Sequence, residues 1–294
     1  MRCGVSGLVL GCLLASSVLA RDIYVNNEFG NDEYDGTSPV ATGARIGPFR
    51  TITSALRRAE KGDRVILAKT GQPYHESITL QGGRHSGTPR IPFQLIGNGA
   101  VLDGTHRIAA ERWRFVQGSV FRYMPAKRQF AMLYVDGKPA DRVQITSQGQ
   151  LKTLKPLQWC QFQGAIYFCT APGRLPNSYP LSAASLQVGI TLYEVRYVTI
   201  SDLVVQGFQL DGINAHDGVR STRLLSLNCR GNGRAGISVG GASRVRVESC
   251  LVGNNGAAQL RTEGFSHVEL HNCDLLENTA PRIVREGGEV TERK

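Results

Sequence analysis

The stretch Val198-Thr-Ile-Ser-Asp-Leu-Val-Val205 decides the fold, because the chain repeats its pattern three more times. The later copies begin at Leu224, Val245 and Val268, after steps of 26, 21 and 23 residues. Five residues after each start lies an apolar or cysteine position: Leu203, Cys229, Cys250 and Cys273. Repetition at this period is typical of a solenoid, in which each unit stacks on the one before it.

The spacing inside each unit indicates strands and sharp corners. Val245-Arg-Val247 and Val268-Glu-Leu270 alternate apolar and polar residues over a length too short for a helix. Gly253-Asn-Asn-Gly256 offers residues that tolerate the left-handed backbone of a corner. The pattern predicts an all-β, right-handed parallel β-helix, since the Leu-x-x-Leu-x-Leu frame of a leucine-rich repeat is missing. A polar ladder is expected along one corner, from Asp202, Asn228, Ser249 and Asn272.

Residues 1–20 have the pattern of a secretory signal peptide. Arg2 supplies the positive start, Gly7 to Leu14 the apolar core, and Val18-Leu-Ala20 the small-residue cleavage site. The apolar run is too short to span a bilayer, and no other transmembrane candidate occurs. An acylated lipoprotein cysteine at Cys12 is the alternative interpretation. We therefore expect a secreted or periplasmic mature protein.

Charge and composition narrow the class of partner. The 294-residue chain has a formal net charge of +10, which becomes +9 once Arg2 is removed. Aromatic residues make up only 7%, and no basic ribbon interleaved with them occurs, which argues against a nucleic-acid partner. An acidic polysaccharide would be attracted to such a solenoid over long range. Alternatively, the arginines only decorate the solvated outer faces of the coils.

Five cysteines remain after the predicted cleavage. If Gly164-Ala165 forms a two-residue hairpin turn, Cys160 and Cys169 lie opposite each other, which predicts a cross-strand disulfide in an oxidising compartment. The three cysteines of the repeat are expected to pack inward as small hydrophobes. A metal site built from them is the alternative, but no histidine shares their face.

The chain divides into regions with different patterns. Residues 21–104 are predicted to form an N-terminal cap and the first coils, 105–185 a β-rich insertion, and 186–294 the regular coils. Ile52 to Ala59 has helical spacing, which predicts a short helix that covers the open end of the solenoid. Residues 287–294 offer no capping helix, so we expect a partner or a missing segment to cover the other end.

Several motifs resemble the opening of the pectin-lyase-like right-handed β-helix family. They are Ile23-Tyr-Val-Asn26, Gly30-Asn-Asp32, Asp35-Gly-Thr37, Pro48-Phe-Arg-Thr-Ile52, Ala55-Leu56, Gly62-Asp63 and Val65-Ile-Leu67. Within that family the chain is most similar to exported bacterial proteins of the family-9 pectate lyase type. Leu133-Tyr-Val-Asp-Gly137 and the hairpin from Trp159 to Phe168 are also similar to an insertion of many carbohydrate-active β-helix proteins. The resemblance implies a polysaccharide lyase with a lysine or arginine base and often Ca²⁺.

One coil departs from its neighbours by its polar residues. Asp211-Gly-Ile-Asn-Ala-His-Asp217 is followed one coil later by the bare Ala235-Gly-Ile-Ser-Val-Gly-Gly241. We take Asp211, His216, Asp217 and Arg234 as candidate catalytic residues, and Asn214, Arg220 and Arg261 as candidates for substrate binding. Asp211 and Asp217 are also the candidate ligands for Ca²⁺, which prefers oxygen ligands. The alternative is that Asp211 and Asn214 only make corner hydrogen bonds and His216-Asp217 is a surface loop.

The reaction is less well defined than the fold. No lysine lies among the repeats from Val198 to Leu275, so the base of a family-type lyase has no obvious counterpart. The Asn-x-Asp, Asp-Asp and Gly-His signatures of a polygalacturonase are absent, although Asp211 and Asp217 could form a carboxylate pair. We predict an exported lyase-like protein that cleaves uronate-containing polysaccharide by β-elimination. A β-helix glycoside hydrolase and a non-catalytic polysaccharide-binding protein at the cell surface are the alternatives.

Overall fold

A computed structural model describes residues 20–293. The predicted signal segment, including Cys12, lies outside the described residues apart from Ala20. The one α-helix of the described residues is α1 (Ile52–Arg58), and short 3₁₀ helices occur at Ala110–Arg112, Gln148–Thr153 and Pro176–Ser178. The strands are β1 Asp22–Val25, β2 Arg64–Leu67, β3 Ile78–Gln81, β4 Phe93–Asp103, β5 Thr105–Arg107, β6 Arg114–Gln117, β7 Val120–Tyr123, β8 Leu133–Val135, β9 Lys138–Pro139, β10 Asp141–Arg142, β11 Gln158–Phe162, β12 Ala165–Cys169, β13 Leu181–Ala184, β14 Ile190–Tyr193, β15 Arg196–Gln206, β16 Asp211–His216, β17 Arg220–Leu225, β18 Asn228–Arg230, β19 Ala235–Val239, β20 Arg244–Glu248, β21 Leu251–Gly253, β22 Ala258–His271, β23 Asp274–Leu275 and β24 Ile283–Arg293.

Parallel strands stack coil upon coil in three ladders, which confirms the predicted parallel β-helix. The front ladder contains β3, β14, β16, β19 and the first halves of β22 and β24. The side ladder contains β1, β2, β17 and β20, the first halves of β4 and β15, and the second halves of β22 and β24. The rear ladder contains the second halves of β4 and β15, then β18, β21 and β23. Each coil therefore turns through three faces around one core.

The register between coils corrects the predicted alignment of the repeat. Val198 pairs with Thr222, Thr222 with Val245, and Val245 with Val268, so the steps are 24, 23 and 23 residues. Cys229 pairs with Val205 and Val252, one inward position beyond Leu203. The second unit had been aligned two residues too late, because its start was set at Leu224 instead of Thr222. A hydroxyl residue in an otherwise apolar column caused the error.

The corner between the side and rear ladders is also corrected by this register. Its left-handed residues are Asp202, Ser226, Ser249 and Asn272, with φ between 49° and 53°. Ser226, and not Asn228, therefore occupies the corner in the second repeat. Short polar side chains are favoured there because their local hydrogen bonds offset the cost of positive φ.

The interior is a continuous apolar column, as predicted. Leu203, Cys229 and Cys250 are buried, and Cys273 packs partly buried against the same core. Alternation along each strand sends one set of side chains inward and the other to the outer faces. The prediction that the repeat cysteines point inward is confirmed.

The helix α1 packs against β1, β2 and β3 and contributes Ile52, Ala55 and Leu56 to the core. Thr51 caps its first turn by accepting a hydrogen bond from the Ser54 amide. The predicted N-terminal capping helix is thereby confirmed.

The strands between β5 and β13 lie outside the three ladders. They form a four-stranded sheet (β5, β13, β8, β9) and a five-stranded sheet (β10, β11, β12, β7, β6) with their own apolar clusters. Tyr134 connects this region to the coils, because its hydroxyl donates to the Gly231 carbonyl at 2.9 Å. The region stands beside the corner that leads into the front ladder.

The predicted Cys160–Cys169 disulfide is wrong in this structure, where both thiols are free. The hairpin turns at Gln163-Gly164, both with positive φ, and Phe162 faces Ala165. Cys160 therefore faces Tyr167, and Cys169 pairs instead with Val120. The prediction had placed the turn one residue too late, which shifts every cross-strand pair.

A buried histidine links the helical cap to the first coil and predicts a pH dependence of stability. The Gln81 amide donates to His85 Nδ1 at 3.0 Å, and Nε2 lies 2.9 Å from the Leu56 carbonyl oxygen, so the ring is neutral. Burial lowers the pKa of His85 below its usual value. The unfolded chain binds a proton at about pH 6.5 and the folded chain only at lower pH, so stability falls as the pH drops below about 6.5.

We expect the melting temperature of the wild type to decrease between pH 7 and pH 5, and His85→Gln to reduce this slope. Glutamine offers one donor and one acceptor but does not titrate. Thermal melts of both proteins at each pH provide the measurement. An equal slope in the two proteins would contradict a role for His85.

Candidate functional site

Two columns of outward side chains cross the front ladder and bring predicted site residues onto one face. The first column contains Thr191, Asn214, Ser238 and Arg261, which are in register from β14 to β22. The second contains Tyr193 beside His216 and, further along, Glu263 beside Glu286. We call this surface the front face.

Asp211 and Arg234 form a buried ion pair at the beginning of the front-ladder strands. Arg234 Nε donates to Asp211 Oδ1 at 3.0 Å, and Nη2 donates to Oδ2. Asp211 is fully buried, and burial raises its pKa despite the guanidinium beside it, whereas the hydrogen bond that Arg234 donates to Asp211 raises the pKa of Arg234. Both carboxylate oxygens are occupied, so this pair connects two coils and leaves no free base.

The structure separates the two predicted calcium ligands. Asp211 and Asp217 are six residues apart along β16 and its corner, which at 3.3 Å per residue is roughly 20 Å. They can neither share one ion nor form a carboxylate pair, so both of these predictions are wrong. Within residues 20–293, no group of three or more His, Cys, Asp or Glu side chains is arranged to hold a metal ion.

His216 and Asp217 lie together at the other end of β16. Asp217 Oδ2 is 3.4 Å from His216 Nδ1, and both side chains are about half exposed, at 52% and 54%. The ring of Tyr193 lies 6.0 Å from the His216 ring, centroid to centroid. A histidine oriented by a carboxylate and open to solvent beside a phenol can accept and donate protons.

The next coil leaves room for this group. A Cβ atom on Gly241 would lie 2.4 Å from Asp217 Oδ1, and one on Gly240 would lie 2.9 Å from Glu263 Oε1. Gly241 also has a φ of 62°, which side chains rarely adopt. The two bare positions noted in the sequence therefore allow the acidic side chains on either side to reach over them.

The remaining predicted binding residues are spread around His216. Asn214 lies two positions earlier on the same outward side of β16. Arg220 is exposed just past the corner and is in register with Arg196, so two guanidinium groups extend from adjacent strands. Their mutual repulsion favours an anion between or beside them.

Arg261 lies two coils from Asn214, roughly 10 Å along the ladder. Its Nη2 contacts Glu263 Oε2 at 2.7 Å and also contacts Glu286. Its Nη1 atom and Ser238 Oγ are buried without a hydrogen-bond partner. Arg261 therefore binds two carboxylates from adjacent coils and does not contact the His216–Asp217 pair.

Sequence reasoning missed Tyr193, Glu263 and Glu286. Tyr193 precedes the recognised repeats, and the two glutamates are recognisable only by their separation of one coil. With the corrected step of 23 residues, the recurrence of an acid at Glu263 and Glu286 could have identified them.

A groove of the described surface that contains none of the predicted site residues lies elsewhere. Its volume is about 870 Å³, and it lies over the side ladder between Arg244, His267 and Phe265. Two arginines in its wall are bound to glutamates, Arg223 to Glu248 and Arg246 to Glu269. The front face is the better candidate site, because it holds His216, Asp217 and Tyr193 close together.

Comparison with known proteins agrees with the fold. Residues 183–292 match a family described as "Right handed beta helix region". A solved structure named "Glycoside hydrolase" has a TM-score of 0.62 at 12% identity over 86% of this chain and 73% of its own. Pectate lyase Pel9A has a TM-score of 0.43 at 12% identity over 87% of this chain and 54% of its own. A complex of XylC with xylose has a TM-score of 0.45 at 14% identity over 92% of this chain and 70% of its own.

The matched region and the structure named "Glycoside hydrolase" support the right-handed β-helix fold. At such low identity they concern the fold and leave the reaction open. No curated protein sequence matched the chain. Among the described residues, no helix is long and apolar enough to cross a membrane.

The different surroundings of the two aspartates predict different effects of one substitution. Asp211→Asn removes the charge that compensates Arg234, and we expect it to lower the free energy of unfolding by about 2 kcal/mol, discounted because Arg234 is partly exposed. Asp217→Asn should change that free energy by no more than about 0.5 kcal/mol. Denaturant unfolding of both variants measures the difference. Equal losses would mean that the Asp211–Arg234 pair does not stabilise the coils.

Proposed function

We propose that the protein cleaves a uronate-containing polysaccharide by β-elimination on the front face. The observation that supports this most directly is the exposed His216–Asp217 contact with Tyr193 beside it. The solved structures with similar folds include proteins named as a glycoside hydrolase and a pectate lyase, which agrees with a carbohydrate-active protein.

The proposed reaction begins with removal of the proton on the carbon next to the uronate carboxyl group. In this step His216 Nδ1–H donates a hydrogen bond to Asp217, which leaves the Nε2 lone pair free to act as the base. As the C–H bond breaks, the electrons form a carbon–carbon double bond and the glycosidic C–O bond on the next carbon breaks. Tyr193 donates its phenolic proton to the departing oxygen.

Charge on the substrate carboxylate increases during this step and must be stabilised. Arg220 is the exposed cation nearest in sequence to His216, and the Asn214 side-chain amide can donate a hydrogen bond from the same face. The net positive charge, +10 for the full chain and +9 without Arg2, adds long-range attraction for a polyanion. In this proposal, Asp211 and Arg234 stabilise the coils and take no part in the reaction.

A glycoside hydrolase is the second candidate, supported by the two carboxylates that meet at Arg261. Glu263 and Glu286 are in register on adjacent strands, a short separation that suits a retaining mechanism. However, both carboxylates contact the Arg261 guanidinium, so neither is free to reach the glycosidic bond as acid or nucleophile. We therefore place elimination first.

A calcium requirement is still a proposal. Of the two ligands predicted for it, only Asp217 has a carboxylate that is free to contact an ion. Comparing activity with added Ca²⁺ and with a chelator tests the requirement, and Asp217→Asn tests the ligand.

The proposed chemistry predicts a specific product and specific losses. Pectate, alginate and glycosaminoglycans, each with and without Ca²⁺, should be screened for the ultraviolet absorbance of unsaturated uronate ends. On the substrate that responds, we expect His216→Ala to lower kcat/KM by about 100-fold or more, with a large loss also for Tyr193→Phe. His267→Ala, a histidine change on the side ladder, is the matched control and should retain activity.

Other outcomes identify the rival functions. Reducing ends without unsaturated products, abolished by Glu263→Gln, would establish the hydrolase. Binding of anionic polymer that weakens steeply with salt, without turnover of any substrate, would favour a non-catalytic binding protein. Full activity in His216→Ala would remove the proposed base.

We also infer that the protein is exported and cleaved after Ala20. The backbone nitrogen of Arg21 lies 3.3 Å from Asp63 Oδ1, and its side chain contacts the same buried carboxylate at 2.7 Å. Cleavage there would create an ammonium group beside this acid, which is favourable. Expression of the full chain in a bacterial host should yield a secreted or periplasmic protein whose N-terminal sequence begins at Arg21. An uncleaved cytoplasmic product would contradict export.

A further inference from the structure

Two cysteines occupy the same position of adjacent coils. Leu251 pairs with Asp274, so the residues before them, Cys250 and Cys273, also face each other across the ladder. Both directly follow a left-handed corner residue, which gives the two side chains the same direction.

The sulfur contacts show that this direction is toward the preceding coil. Cys250 Sγ lies 3.4 Å from the Leu224 carbonyl oxygen, and Cys273 Sγ lies 3.2 Å from the equivalent oxygen of Val247. The thiol of Cys273 is therefore directed at the coil that carries Cys250. The proximity of the two thiols lowers the pKa of Cys273 and, together with burial, raises that of Cys250.

The spacing of the coils suits a bond between them. Neighbouring parallel strands lie about 4.8 Å apart, and disulfide-linked residues have Cα separations of roughly 4.4–6.8 Å. Cys273 immediately precedes β23, which pairs only with β21 among the described strands. A strand held on one side can make the small shift that closing a disulfide requires.

The pair is also reachable from solvent. Both cysteines line a groove of about 760 Å³, together with Arg282 and Arg293. Cys273 is partly exposed, so it is the thiol that an incoming molecule meets first. Arg282 is bound to Glu292, so the Arg293 guanidinium is the group that would attract an anionic reagent.

We propose that Cys250 and Cys273 are a redox-active thiol pair, which a small disulfide compound such as glutathione disulfide converts into a bond between the coils. The Cys273 thiolate attacks one sulfur of the oxidant, whose S–S bond breaks and releases one thiolate. Cys250 then loses its proton and attacks the Cys273 sulfur, releasing the second thiolate. The two cysteines lose two protons and two electrons, and the oxidant is reduced to two thiols.

The other cysteines of the described residues lack such a partner. Cys229 lies in the next column, between Val205 and Val252, and is completely buried. Cys160 faces Tyr167, and Cys169 pairs with Val120. The register of the structure thus excludes a disulfide within the hairpin and favours one between the coils.

The test is to treat the native full-length protein with glutathione disulfide, block the remaining thiols and map the peptides by mass spectrometry. We expect a Cys250–Cys273 cross-link, a loss of two free thiols and a rise in melting temperature of roughly 5 °C or more, reversed by dithiothreitol. Linkage of Cys160 to Cys169, or no linkage in the folded protein, would overturn the proposal.

Substitutions separate the two steps. Cys250→Ser keeps a hydrogen-bonding side chain but removes the second nucleophile, so Cys273 should accumulate as a stable glutathione adduct. Cys229→Ser is the matched control in the neighbouring column and should still form the cross-link. An adduct that forms on Cys229 in place of Cys273 would contradict the assigned order of attack. The wild-type peptide map decides the question even if a variant fails to fold.

Discussion

The stacking of each coil on the next, in parallel and in register, is the constraint on which the rest of this structure depends. It fixes a step of 23 or 24 residues and places equivalent side chains about 4.8 Å apart in columns. Every side chain then has two permanent neighbours, one in each adjacent coil. Apolar columns form the core, and polar side chains within a column must hydrogen-bond to their neighbours in the adjacent coils. Asn232 and Asn255 illustrate this, because the Asn255 side-chain oxygen accepts a hydrogen bond from the Asn232 side-chain amide at 3.1 Å.

The same constraint explains where charge is tolerated. Arg223 and Arg246 are in register on adjacent coils of the side ladder, and each guanidinium binds a carboxylate from the next coil, Arg223 to Glu248 and Arg246 to Glu269. Such exposed pairs contribute little individually, but they remove the repulsion that stacked like charges would produce. A position where stacked guanidinium groups have no carboxylate partner among the described residues is therefore informative. Arg196 beside Arg220 is such a position, and it lies at the corner next to His216.

Sequence reasoning recovered the fold because apolar alternation and corner residues are local signals that every coil repeats. It failed where a single residue decides the register. Thr222 occupies a column that is otherwise apolar, and the hairpin turn is formed by Gln163 and Gly164 and does not include Ala165. The site was harder to predict, since polarity alone cannot distinguish a buried ion pair from an exposed acid. Asp211 and Asp217 look equivalent in the sequence, yet one is enclosed with Arg234 and the other is half exposed.

In a solenoid, a chemical site arises where a coil differs from its neighbours. In a column of identical polar side chains, neighbouring side chains hydrogen-bond to one another. A coil without polar side chains, placed beside a polar coil, instead leaves the donors and acceptors of the polar coil unpaired. Gly240 and Gly241 provide that gap next to His216 and Asp217. The two glycines also leave space for Asp217 and Glu263, because a side chain on Gly241 would overlap Asp217 and one on Gly240 would overlap Glu263. The polar coil and the bare coil are therefore one feature, and neither would create the front-face site without the other.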